Sequence, residues 1–152
     1  MRRAGMTLLE LVLTISIIVL LALLLVPKLM NAAPRLAAES EGIQARTDLN
    51  YAQQLAIAHN APCQVVFDQS GGCVLIRERV AGSFTTVSER RLDHGVTIAS
   101  STFAAHTVTF DELGEPDADG TVTLRGTNGS VVTVAVAPGT GRVTVSSGGR
   151  EL

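Results

Sequence analysis

Apolar positions follow three different patterns along the chain. From Met6 to Val26 nearly every residue is apolar, and Glu10 is the single charge. At 1.5 Å per residue a helix of that length reaches roughly 31 Å, enough to cross the hydrocarbon core of a bilayer. From Ile43 to His59 the apolar residues recur instead at three- and four-residue steps, at Ala45, Leu49, Ala52, Leu55 and Ala56. That spacing predicts an amphipathic helix with one buried stripe. Asn60 tolerates the left-handed conformation and Pro62 cannot continue a helix, so the two predict its end.

After Pro62 the period becomes two. Short alternating segments at 64–67, 74–80, 84–88, 96–99, 107–110, 121–125, 131–136 and 143–146 predict antiparallel strands. Gly71-Gly72, Asp119-Gly120 and Asn128-Gly129 supply turn chemistry between them. Asn128-Gly129, flanked by Thr/Val alternation, is expected to make a type I′ hairpin. The fold class is therefore α+β: a long N-terminal helix, apolar then amphipathic, packed on an antiparallel β-sheet domain.

Composition changes the picture in two places. Aromatics make up only 3% of the 152 residues, so the sheet core must be largely aliphatic. The formal net charge of −2 gives no basic footprint for nucleic acid. The first thirty residues also invite comparison with an ordinary secretory signal, since Arg2 and Arg3 precede the apolar run and Ala32-Ala33 follows it. The run is too long for such a signal, Met30 or Asn31 would fill the position that cleavage reserves for a small residue, and Pro34 follows directly.

The segment Arg2-Arg3-Ala4-Gly5-Met6-Thr7-Leu8-Leu9-Glu10-Leu11 closely resembles the type IV prepilin signature. The resemblance implies a leader, 1–5, cut after Gly5 by a membrane prepilin peptidase, which also methylates the new N-terminal amine at Met6. It further implies that Glu10, fifth in the mature chain, drives filament assembly by neutralising the Met6 amine of a neighbouring subunit. Met6 departs from the commonest residue of the signature, Phe, but is equally apolar. Independently of the resemblance, a carboxylate within a spanning helix costs about 2.5 to 3.5 kcal/mol when central, so Glu10 calls for a partner. Losing Arg2 and Arg3 with the leader lowers Lys plus Arg from 12 to 10 against 14 acidic groups, a formal charge of about −4.

The resemblance extends along the whole chain. It implies a transmembrane helix over 6–26, an amphipathic continuation over 27–60 with Pro/Gly breaks, a β domain over 61–147 and a flexible tail over 148–152. Pro27, just past the apolar run, is the expected helix break, and Pro34 and Gly42 weaken the turns that follow. The closing Gly139-Thr140-Gly141-Arg142-Val143-Thr144-Val145, with Phe110, a Gly/Asp loop and the Thr121–Leu124 strand before it, resembles the minor pseudopilin H and FimT-type pilins. The implied function is a minor pseudopilin of a type II secretion system. The implied location is the bacterial inner membrane, single-pass, with the N-terminus cytoplasmic and the β domain periplasmic, and then the pseudopilus. Its partners would be other pilin or pseudopilin subunits, the peptidase/methyltransferase and the secretion assembly platform. Two alternatives stay open: a FimT-like minor type IV pilin in pilus biogenesis or DNA uptake, and a membrane-tethered β domain that binds a ligand.

Candidate chemistry outside the helix is sparse. The DNA-binding members of the FimT branch end in Gly-Arg-x-Arg; here Arg142 matches the first arginine, but Thr144 stands in place of the second, so Arg142 is the lone DNA-contact candidate. Cys63 and Cys73 are a candidate disulfide for an oxidising compartment. If Phe67 paired with Cys73, Cys63 would oppose Arg77 and the two backbones would lie roughly 13 Å apart. A bridge would then need an irregular connection, since disulfides require Cα atoms within about 7 Å. Glu115, Asp117, Asp119 and Gly120 imitate the opening of an EF-hand loop, but Gly126 occupies its twelfth position, so the segment reads as an acidic turn. His59, His94 and His106 have no metal-ligand spacing. No cofactor, metal or catalytic motif is expected, and the chain reads as a substrate of processing rather than an enzyme.

Overall fold

The computed structural model describes residues 8–93 and 95–152, with backbone alone for 23–34. Gly5, Met6 and His94 lie outside the described residues. The chain divides into two units, Met1–Ala33 and Pro34–Leu152. One helix, α1, runs Leu8–His59. Its helical assignment continues through Pro27, Pro34 and Gly42, which corrects the break expected at Pro27. A proline removes one hydrogen bond of the ladder, and the bonds on either side keep the element intact.

The helix ends as its sequence requires. Asn60 adopts φ 50° and the Ala61 N–H donates to Ala56 O at 3.2 Å, the six-to-one bond of a Schellman cap. Pro62 follows, and the chain enters the sheets.

Among the described residues nine strands follow: β1 (Cys63–Asp68), β2 (Cys73–Val80), β3 (Ser83–Arg91), β4 (Thr97–Ser101), β5 (Thr107–Phe110), β6 (Gly120–Arg125), β7 (Val131–Val136), β8 (Val143–Ser147) and β9 (Arg150–Glu151). They form two antiparallel sheets, ordered β3-β2-β1-β5 and β4-β6-β7-β8-β9. A short 3₁₀ turn, Ala104–His106, precedes β5. Strict alternation in β1, β7 and β8 sends Val65, Phe67, Val132, Val134, Val143 and Val145 into one core, where Ala45, Leu49, Ala52, Leu55 and Ala56 of α1 meet them. The predicted stripe is therefore the buried face, and it begins earlier, at Ala38. Phe67 and Phe103 stack at 6.4 Å inside the valine-rich core.

Three turns depart from expectation. The Asn128-Gly129 loop is longer than a two-residue I′ turn: Gly129 N–H donates to Gly126 O, Gly126 N–H to Ser130 O, and only Gly129 has positive φ. This is a type I turn closed by a glycine bulge. Two-residue loops with both φ positive lie instead at Ala81-Gly82, joining β2 to β3, and at Gly148-Gly149, joining β8 to β9. The tail expected to be flexible forms β9: Gly148-Gly149 turn the chain, Arg150 and Glu151 pair with Ser147 and Ser146, and Leu152 N–H donates to Val145 O.

Candidate functional site

In the first unit Glu10 lies on α1. It is flanked by Leu8, Leu9, Leu11, Val12 and Leu13, all exposed. Thr14 and Ser16 return their hydroxyls to Leu11 O and Val12 O, each at 2.8 Å. These hydroxyls are thus satisfied within the helix, as an apolar environment requires. Among the described residues no helix is long and apolar enough to cross a membrane. The described apolar side chains run from Leu8 to Ala22, fewer than the ~20 a span needs.

In the second unit two polar clamps fix the helix against the sheets. Glu41 is 2% exposed within the buried stripe. Arg90 of β3 reaches it with Nη1 at 2.6 Å and meets Asp48 through Nε at 2.8 Å, while Asp93 N–H donates to the other Glu41 oxygen. Burial pushes the Asp48 carboxyl up, and the Arg90 guanidinium opposes that rise. Sequence reasoning passed over this triad. Its signal was two acids seven residues apart on the face that buries Ala45, which demands a cation from elsewhere in the fold.

The second clamp is Gln53, whose Nε2 donates to Gly114 O at 2.9 Å and Thr140 O at 3.3 Å. Gly141 lies directly over it at φ 62°, and a Cβ there would come within 2.6 Å of Gln53 Nε2. The glycines of the closing motif therefore shape a turn that docks on α1. Gly42 has a comparable role: a Cβ would sit 2.5 Å from Val132 Cγ1. Its smallness permits close helix–sheet approach, and helicity persists there.

The remaining candidates separate in space. Arg142 is exposed, as alternation required, and its Nη2 lies 3.6 Å from Glu151 Oε1 on β9. Cys63 pairs with Glu78 and Cys73 with Asp68, at opposite ends of the β1–β2 ladder, and both are free and buried. The register is one residue from that expected, which sets the cysteine backbones roughly 16 Å apart and corrects the disulfide candidate. Burial raises both thiol pKa values, that of Cys63 to about 11. Asp117 accepts the Thr109 N–H, and Asp111 those of Leu113 and Glu115, so the acidic segment is a self-capped loop. His59 Nδ1 lies 2.6 Å from Glu78 Oε1, tying the helix end to β2. Among the described residues no group of acids, histidines and cysteines is placed to hold a metal.

Residues 44–149 match the family of the Type II transport protein GspH. Two solved structures share the fold. The minor pseudopilin EpsH from the type 2 secretion system of Vibrio cholerae superposes with a TM-score of 0.63 at 13% identity, over 74% of this chain and 98% of that one. The type IV minor pilin FimU of Pseudomonas aeruginosa gives 0.60 at 15% identity, over 76% and 92%. No curated protein sequence matches the chain.

Proposed function

Because the chain belongs to the Type II transport protein GspH family, we propose that it is a minor pseudopilin of a type II secretion system, with a structural role in filament assembly. The observation that carries this reading is the family match over the helix stripe and both sheets. The prepilin-like Gly5-Met6 junction supports it by joining that domain to an apolar helix. Residues 6–26 hold the chain in the inner membrane with the sheets in the periplasm. The prepilin peptidase cuts after Gly5 and methylates Met6. Glu10 then pairs with the Met6 amine of a neighbouring subunit as the assembly platform draws helices into the pseudopilus.

The likeness to FimU favours one second reading, a minor type IV pilin in pilus biogenesis or DNA uptake. The two differ in what a deletion abolishes. Loss of exoproteins from the medium, restored by the wild-type chain and not by Glu10→Ala, supports the secretion reading. Normal secretion with loss of pili or of DNA uptake replaces it. A tethered ligand-binding domain predicts indifference to Glu10→Ala in both assays.

A further inference from the structure

Nine residues separate Cys63 from Cys73, and Gly71 and Gly72 are two of them. In the unfolded chain so short and flexible a loop closes readily, so an oxidant joins these two thiols to each other before it joins either to another chain. The fold forbids that same bond. β1 and β2 are the two inner strands of their sheet, and their ladder opposes Cys63 to Glu78 and Cys73 to Asp68. Five residue steps of about 3.3 Å hold the two backbones roughly 16 Å apart, whereas a disulfide requires Cα atoms within about 7 Å. No side-chain rotation closes such a gap, so the ladder has to open.

Opening it disturbs more than one hairpin. β1 also pairs with β5, Cys63 with Phe110 and Val65 with Val108, so drawing Cys63 across to Cys73 takes β1 from both of its neighbours. Val65 and Phe67 of the same strand are fully buried, and Phe67 stacks on Phe103. The core loses both side chains with the strand. In the folded chain the thiols are themselves protected. Cys63 and Cys73 are buried, Cys63 Sγ donates to Ala61 O at 3.7 Å, and Cys73 Sγ lies 4.0 Å from Asp68 Oδ2. Burial, and after it the Glu78 carboxylate beside Cys63 and the Asp68 carboxylate beside Cys73, push both thiols up. The thiolate that exchange requires is therefore scarce while β1 and β2 stay paired.

We propose that Cys63 and Cys73 form a redox-sensitive switch on folding: with both thiols reduced the β1–β2 ladder forms and shields them, and with the two joined the ladder cannot form. The step is an exchange with a disulfide-bearing oxidant. One cysteine thiolate attacks the oxidant's disulfide and releases one of its sulfurs; the second thiolate then attacks the mixed disulfide and releases the other. Two protons and two electrons leave the cysteines, and the oxidant becomes two thiols. A dithiol reverses the exchange and returns the chain to the form that folds. The exclusion follows from the strand register alone, and the proposed periplasmic location enters only as a place where such oxidants act. There a chain that folds before oxidation is protected, and a chain oxidised first needs a thiol reductant before its β domain can form.

The test uses the full chain in detergent, unfolded in guanidinium chloride and exposed to oxidised glutathione at about pH 8.5, near the ordinary thiol pKa. Chromatography isolates the monomer that mass spectrometry shows to have lost two hydrogens and to carry no glutathione. After the denaturant is removed, amide hydrogen exchange over residues 65–67 reads the ladder. Protection there should fall at least about a hundredfold below that of reduced chain treated in parallel, and dithiothreitol added to the same sample should restore it. Folded chain in the same oxidant without denaturant should acquire the bond at least about a thousandfold more slowly than denatured chain. An oxidised monomer with the β1 protection of the reduced chain, a loss of protection that dithiothreitol does not reverse, or equal oxidation rates in folded and denatured chain overturns the proposal. None of these outcomes bears on where the chain is cut or which filament it enters, so this inference and the secretion reading fail separately.

Discussion

From Leu8 to Leu21 the large aliphatic side chains stand 48% to 81% exposed along one helix, whereas Leu49, Val65, Val122 and Val145 in the second unit are at 0%. Both regions are built from the same residue types. They differ in polar company: the second unit closes its apolar surface with its own sheets and places Arg90 and Gln53 where buried acids and carbonyls require them. The first has hydroxyls satisfied within the helix and one acid near its start. Exposed apolar surface of that extent marks a contact with a membrane or a protein, so its function is a question of what covers it.

The comparison can be broken most severely at Glu10. If Glu10 serves assembly alone, Glu10→Ala lowers the filament-incorporated fraction roughly a hundredfold, matching about 3 kcal/mol for a carboxylate in an apolar setting. The melting temperature of the globular domain stays unchanged. Sheared-filament and membrane fractions with a thermal melt check both halves, and a lowered melt with normal incorporation reverses the assignment.

Arg90→Ala should do the converse. It leaves Glu41 buried without its cation and should cost about 3–5 kcal/mol in denaturant unfolding. Gly42→Leu comes next, because its side chain must displace Val132; overpacking there should cost about 1–3 kcal/mol. If Gly42 were instead a helix-weakening point, the same substitution would stabilise the chain.

The pH response of Cys63 is smaller and has a defined sign. Burial raises its pKa from 9.0 to about 11, so the folded chain keeps the proton longer than the unfolded one. The stability this contributes is full below pH 9 and is lost as pH rises toward 11. Unfolding of the wild type and Cys63→Ala across that range checks it, and the decline should be smaller in the variant, where Cys73 alone of the two raised thiols remains. Arg142→Ala should have the least effect, within about 0.5 kcal/mol, because its partner Glu151 is a solvent-screened surface charge.

Much of this division was legible locally. Period-two alternation marked Val132, Val134, Val143 and Val145 as inward, and the three- and four-residue steps marked Ala45 through Ala56, because pleat and helix pitch are properties of neighbouring residues. The Asn60-Pro62 stop was legible for the same reason. What escaped depends on distant partners. The cysteine register shifted by one residue because the Asp68 side chain, accepting bonds from Ser70 and Gly71, sets where the β1–β2 turn closes. β9 escaped because Arg150 and Glu151 are too short a segment to show apolar alternation, and their backbone register with Ser147 and Ser146 is set by the Gly148-Gly149 turn. Arg90 stood in an exposed, polar strand, and only the fold brings it to Glu41. The assembly candidates Gly5 and Met6 were read from a short motif and lie outside the described residues.

The central claim is that the first unit is processed into a filament-forming helix, and the mature N-terminus tests it most directly. N-terminal sequencing with mass spectrometry of the membrane-extracted chain should return Met6 as the first residue, carrying an N-methyl group. An intact Met1, or a start near Pro34, would contradict the account.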